Sequence, residues 1–215
     1  MNMKAVFENI REEAQRYFQT ARGSHDWSHT ERVHNLCMHI GKKENADLDI
    51  LSLAAFLHDI GRGQQDKTNG NICHAERGAT MARELLERHN MNEKTIDEII
   101  HCIENHRFRG SKVPRTKEAQ VLYDADKLDS IGAIGIGRAF LFAGEVGAYV
   151  HNRNVVIETT QPYTKEDTAY REFVMKLKLV KDTMLTGEGK KLAQERHYFM
   201  EEFFSRLDQE VEGKL

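Results

Sequence analysis

Apolar residues recur at helical spacing along almost the whole chain, and only two prolines, Pro114 and Pro162, interrupt it. Side chains at positions i, i+3, i+4 and i+7 share one face of an α-helix, so this spacing predicts amphipathic helices with one buried face. Proline breaks the interior of a helix, and its scarcity therefore permits long helices. A chain of 215 residues is long enough for one domain with a substantial core. The sequence predicts an all-α helical bundle that forms a single domain over residues 1–215.

Capping residues and glycines predict where these helices begin and end. Ser28 and Glu31 have the spacing of a capping box, and Gly61 is expected to stop a helix. The segment 154–160 (NVVIETT) has a strand-like composition but no evident pairing partner. The first predicted helix ends near residue 23. The second begins between residues 26 and 28 and ends near 43, and later ones cover about 48–59, 74–89, 93–106, 116–129 and 131–149. Two long helices, separated near 186–189, are predicted for the last fifty residues.

Charge balance and cysteine usage limit the class of protein. Charged residues make up 30% of the chain and the net charge is -3, which argues against binding to a nucleic-acid polymer. The three cysteines show no CxxC spacing and are expected to be reduced thiols. Neither a signal-peptide segment nor a membrane-spanning stretch is evident. These features predict a cytoplasmic protein without membrane association. The aromatic-rich segment 198–204 is expected to form either core or the contact of a homodimer.

The predicted third helix directs a histidine and an aspartate toward the core. Leu51, Ala54 and Ala55 define its apolar stripe, and His58 and Asp59 continue that stripe at i+7 and i+8. A buried carboxylate must be paired, protonated or bound to a cation, because desolvating it alone costs several kcal/mol or more. A divalent metal ion would accept both an imidazole nitrogen and a carboxylate oxygen.

The predicted sixth helix repeats this feature with Asp126, which lies at i+4 from Leu122 on the apolar side. An ion pair with Lys127 or Arg32 is the alternative to a metal for this carboxylate. His29 lies in the first turn of the predicted second helix. Imidazole and carboxylate ligands together suit Mn, Fe, Zn, Ni or Co better than Ca or Mg alone.

Three motifs resemble those of the HD-domain superfamily of metal-dependent phosphohydrolases: DWSH ending at His29, LHDIGRG with His58 and Asp59, and DADKLD with Asp126. The resemblance implies an HD-type helical bundle with a central metal held by His29, His58, Asp59 and Asp126. Its metal-ligand core would cover about residues 24–130, and helices in 131–215 would complete the bundle. The implied activity is hydrolysis of a phosphate ester or anhydride, with Asp59 as a catalytic residue.

Two further histidines, His74 and His106, extend the resemblance to HD proteins that hold two metal ions. They would either bind a second divalent metal or, as catalytic residues, contact the substrate phosphate or transfer protons. The protein would hold one or two divalent metal ions, and the candidate metals are Mn, Fe, Ni, Co, Zn and Mg.

One departure from the family concerns the positions after the His-Asp pair. HD hydrolases that act on nucleotide pyrophosphates can carry an acidic pair there, whereas this chain has Arg62 and Gly63. Arg62 is therefore expected to bind phosphate, as are Arg32 and Lys127, and Lys127 is also a catalytic candidate. Glu76 is a reserve candidate for a carboxylate near the site.

The predicted substrate is a nucleotide or another small phosphorylated metabolite. A nucleotide is favoured because Trp27, Phe108 and Tyr123 lie near motif residues and could stack on a base. Phosphomonoesterase, phosphodiesterase and nucleoside triphosphate pyrophosphohydrolase activities remain open. The alternatives from other classes are a di-iron oxygenase and a non-catalytic module that senses a nucleotide or a metal.

Overall fold

The computed structural model describes residues 3–19, 26–67, 73–107 and 112–215, and it contains helices but no strand within them. This confirms the predicted all-α class. The α-helices, numbered in chain order, are α1 (Met3–Arg16), α2 (Trp27–Glu44), α3 (Leu48–Leu57), α4 (Arg62–Lys67), α5 (His74–Arg88), α6 (Glu93–Asn105), α7 (Lys117–Leu128), α8 (Gly132–Glu145), α9 (Ala169–Met175) and α10 (Gly187–Val211). Two 3-10 helices cover Ile157–Thr159 and Leu177–Thr183.

Contacts between helices divide the chain into two compact units, Met1–Asp126 and Lys127–Leu215. In the first unit, α3 is the central helix, and it packs against α1, α2, α5 and α6. Its side chains Leu51, Leu53 and Leu57 are fully buried. Seven of its ten residues are buried, and a helix with so wide an apolar surface is stable only when other helices surround most of it, which explains its central place.

The second unit is built around α10, which packs on α8 and on the 3-10 helix Leu177–Thr183. The rings of Phe173 and Phe204 stack there with centroids 4.5 Å apart. Of the aromatic-rich segment 198–204, Phe204 belongs to this core, whereas Tyr198 and Phe199 are exposed. The single domain over 1–215 and the homodimer remain predictions.

Several local predictions differ from the structure. The helix α2 begins within the predicted range, but its N-cap is Asp26, whose carboxylate accepts from the His29 backbone N–H at 3.1 Å, so Ser28 lies inside the helix instead of capping it. The strand-like segment 154–160 contains a 3-10 turn, and no strand is present among the described residues to pair with it. The segment 62–67, for which the sequence predicts no helix, forms the short helix α4.

The ends of the chain also differ from the prediction. The first helix ends at Arg16, and Gly23 lies outside the described residues. The last fifty residues form the short helix α9, a 3-10 helix and one long helix, α10, capped by Thr186. Among the described helices, none is both long enough and apolar enough to cross a membrane.

Candidate metal centre

The end of α3 places His58 and Asp59 in the interior of the first unit. Helix α3 ends at Leu57, His58 is its C-cap, and both His58 and Asp59 are buried. Two glycines allow this segment to approach α5 closely: a Cβ added to Gly61 would lie 2.4 Å from the His74 carbonyl oxygen and 2.6 Å from the Gly78 nitrogen. The close approach brings the His-Asp pair next to the first residue of α5.

One cluster joins the beginning of α2, the end of α3 and α7. His29 Nε2 lies 3.4 Å from His58 Nε2 and 3.5 Å from an oxygen of Asp126. Two nitrogen ligands about 2.1 Å from one metal in tetrahedral geometry would be about 3.4 Å apart. The three side chains therefore have the separations of atoms that share one ion, and they form a candidate metal-binding group.

A second cluster joins Asp59 to the beginning of α5 and the end of α6. His74 Nε2 lies 3.2 Å from Asp59 Oδ1 and 3.3 Å from His106 Nε2. The other oxygen of the same carboxylate, Oδ2, lies 3.9 Å from Nε2 of both His29 and His58. Asp59 thus faces both clusters, one with each oxygen. Asp59 could therefore contribute an oxygen to an ion at either cluster.

Backbone carbonyls determine which ring nitrogens face these clusters. His58 Nδ1 lies 2.7 Å from the Ala55 carbonyl oxygen, and His106 Nδ1 lies 2.6 Å from that of Ile103. A carbonyl can only accept, so each Nδ1 carries the proton that it donates. In the neutral rings, Nε2 then has a lone pair directed at the other ligands. Such carbonyl contacts are the usual way in which a metal-binding histidine is oriented.

Electrostatic effects keep the histidines of the second cluster neutral. Burial lowers the pKa of His74 to about 2; Asp59 opposes this shift, while Arg62, His106 and Arg107 add to it. Burial, together with His58, lowers the pKa of His106 to about 4, although Asp59 and Asp126 favour its protonation. Neutral imidazoles can bind a metal or accept a proton, whereas imidazolium cannot do either.

The predicted phosphate-binding cations occupy different places. Arg62 is paired with Asp59, with Nη2 3.1 Å from Oδ2. Arg32 donates from Nη1 to Ser28 Oγ at 2.9 Å. Lys127 directly follows Asp126 in α7 and is partly buried. Their roles toward a substrate remain predictions.

The remaining candidates lie in neither cluster. Glu76 is exposed on α5. The ring of Trp27 packs in parallel on that of Phe56, and Tyr123 is buried. Phe108 lies outside the described residues. Stacking of a base on these rings remains a prediction.

Sequence reasoning missed two features of the site. The carbonyl groups of Ala55 and Ile103 carry no signal in the sequence, because every residue has one. Arg107 is partly buried and directly follows His106, and its Nη1 lies 3.9 Å from Cys73 Sγ. Its adjacency to a candidate ligand was the available signal.

Comparison with known proteins identifies the family. The HD domain model matches residues 26–131, which include the six clustered histidines and aspartates. YpgQ of Bacillus subtilis is 34% identical over 210 residues, which cover 96% of this chain and 94% of YpgQ. The chain belongs to the HD-domain family.

Solved structures of HD proteins have the same fold. The crystal structure of B. subtilis YpgQ in complex with ADP matches with a TM-score of 0.76 and 31% identity, covering 98% of this chain and 97% of that one. An HD-superfamily hydrolase from Bacillus thuringiensis matches with a TM-score of 0.77 and 26% identity, covering 97% of this chain and 98% of that one. The resemblance predicted from the three motifs is confirmed, and this HD chain has the fold of a hydrolase superfamily.

Proposed function

We propose that this HD protein is a metal-dependent phosphohydrolase that cleaves a phosphate ester or anhydride of a nucleotide or another small phosphorylated metabolite. The observation that carries the proposal is the pair of clusters around Asp59, in which histidine nitrogens face each other 3.3 and 3.4 Å apart. Two facing lone pairs repel each other unless a proton or a cation lies between them. The presence of ADP in the crystal of B. subtilis YpgQ supports a nucleotide as the substrate.

The donor set fits divalent metal ions. His29, His58 and Asp126 would hold one ion and share Asp59 with a second site, at which His74 and His106 are the remaining donors. Such nitrogen and oxygen ligands favour Mn, Fe, Co, Ni or Zn, and Mg is a weaker candidate because it prefers oxygen alone. When bound, the ion supplies an acidified water and polarises a phosphoryl oxygen.

The side chains around the clusters have separate tasks in this proposal. Asp59 orients the ligands of both clusters through its two oxygens. Arg62, Arg32 and Lys127 balance the negative charge on the phosphoryl oxygens, which is the main requirement of phosphoryl transfer. If the second cluster holds no ion, His106 can accept a proton at Nε2, because its Nδ1 donates to Ile103.

The proposal predicts that replacing Asp126 removes metal and activity together. The purified protein would be analysed for metal content, and phosphate release would be measured with ADP, ATP, nucleoside monophosphates and p-nitrophenyl phosphate. Asp126→Ala deletes a proposed metal ligand. Losing a residue that only supports a ligand typically costs 10- to 100-fold, so we expect turnover to fall by more than about 100-fold. The exposed Asp182→Ala is the matched control and should change neither quantity.

Three outcomes would overturn the proposal. A fully active Asp126→Ala variant would exclude the assignment of the ligands. Metal or nucleotide binding without turnover of any substrate would favour the sensing module. About two equivalents of iron with oxygen consumption and no phosphate release would favour the di-iron oxygenase.

A further inference from the structure

Arg107 is a partly buried cation beside the second cluster, and the described residues offer it no carboxylate. Its polar contact there is the weak one to Cys73, the residue that precedes His74. Three other arginines that are partly or fully buried are paired with carboxylates: Arg62 with Asp59, Arg138 with Asp129 and Arg171 with Asp167. Two more have strong neutral acceptors, since Arg77 donates to the Gln64 side-chain oxygen and Arg196 to the Leu128 carbonyl oxygen. A guanidinium that loses water without gaining a counter-charge destabilises the fold. Arg107 therefore has the environment of a group whose partner is a ligand.

Arg107 and Arg62 both lie close to the second cluster. Arg107 adjoins His106 in sequence and lies against the residue before His74, while Arg62 bonds to the carboxylate that His74 also contacts. Both guanidinium groups act electrostatically on His74. The two cations thus lie around the same cluster, although they come from the loop after α3 and the end of α6.

We propose that Arg107 is a substrate-binding residue that, together with Arg62, holds a phosphate group of the substrate beside His74 and His106. This inference rests on the proposed function. A guanidinium offers two parallel N–H donors that match two phosphate oxygens, which a lysine ammonium cannot do. The two positive charges of Arg62 and Arg107 balance the two negative charges of Asp59 and Asp126. A bound divalent ion would then add two positive charges, and this excess would attract the anionic phosphate.

The kinetic test compares Arg107→Gln with wild type on ADP and ATP in the presence of Mn²⁺. Loss of a charged hydrogen bond to a bound phosphate should raise KM about 10- to 100-fold. Because Arg107 is not a metal ligand, kcat should change much less, and the metal content and melting temperature should stay at the wild-type values. Arg107→Lys should recover only part of the affinity. Arg115→Gln, which removes an exposed arginine from the segment that follows, is the matched control.

The outcomes separate this inference from the proposed function. An unchanged KM in Arg107→Gln, or a higher KM accompanied by loss of metal or of thermal stability, would overturn the role of Arg107. If wild type releases phosphate from no substrate, the proposed function fails. In that case, calorimetric titration measures the affinity of wild type and of Arg107→Gln for ADP in the presence of Mn²⁺, and this comparison tests the role of Arg107. Binding at least tenfold weaker in Arg107→Gln supports it, whereas equal binding, or none to wild type, overturns it.

Discussion

At the scale of single residues, His34 is held in an environment that favours its neutral form. It lies on α2, its ring stacks on Phe56 with centroids 4.3 Å apart, and its Nε2 is 3.1 Å from Ser52 Oγ. Burial is the main cause that lowers the pKa of His34 below 6.5, and it outweighs the opposing effect of a hydrogen bond with Asn35. The stacked ring is thus bound more tightly as imidazole than as imidazolium.

His34 should make the protein less stable in mild acid. Below pH 6.5 the histidine of the unfolded chain takes up a proton, while the folded chain resists it until the pH reaches the lowered pKa. The free energy of unfolding should therefore fall between pH 7.5 and pH 5.5, and His34→Gln should lose less over the same range. Urea unfolding at the two pH values measures this. His39→Gln, on an exposed part of the same helix, is the control and should behave as wild type.

The sequence predicted individual site residues when their position conflicted with their polarity. Asp59 and His58 stood out because they continued an apolar stripe, and the structure places both inside the first unit. Arg107 could not be found in this way, because a charged residue at a helix end is ordinary in a sequence. Its significance depends on the absence of a counter-charge among its described neighbours, which only three-dimensional placement reveals.

At the scale of helices, the distance between the end of α3 and the beginning of α5 depends on two glycines. Gly61 and Gly78 pack backbone against backbone, so the segment that carries Asp59 reaches His74. The sequence suggested Gly61 as a helix stop. It did not reveal this contact, because close packing depends on which two helices meet.

Replacing Gly61 with alanine should separate these segments. The added Cβ would meet backbone atoms at 2.4 and 2.6 Å, which cannot move aside as a flexible side chain can. We expect Gly61→Ala to lower the free energy of unfolding by about 2 kcal/mol, as overpacking does elsewhere, and to reduce the metal content. Gly63→Ala is a matched control, because nothing lies within 4 Å of its added Cβ. Equal stability and metal content in the two variants would contradict this account of the packing.

At the scale of the whole molecule, helical periodicity was enough to predict the class of the fold, since an apolar stripe on each helix requires a partner helix. Residue composition was a poorer guide to local structure in the segment between the helices α8 and α9. The segment 154–160 has β-branched residues but forms a 3-10 turn at Ile157–Thr159, where Thr160 Oγ1 donates to the Ile157 carbonyl oxygen. The division into the units Met1–Asp126 and Lys127–Leu215 could not be predicted from the sequence, because the amino-acid composition does not change at their boundary.

Metal binding should stabilise the unit that contains the clusters. An ion that binds the folded chain and not the unfolded chain adds about 2.7 kcal/mol at a concentration 100 times its Kd. For a chain of this size, that corresponds to a rise of about 5–10 °C in Tm. Trp27 is the single tryptophan, and it lies in α2 two residues before His29, so its fluorescence reports on this unit.

The measurement compares tryptophan melting curves in EDTA, in Mn²⁺, and in Mn²⁺ followed by excess EDTA. The rise should appear with Mn²⁺, disappear with the chelator, and be largely absent in Asp126→Ala, because one ligand of the first cluster is missing. The same Tm in all three conditions would mean that the facing histidine nitrogens share protons instead of an ion. Both the metal-centre assignment and the hydrolytic function based on it would then fail.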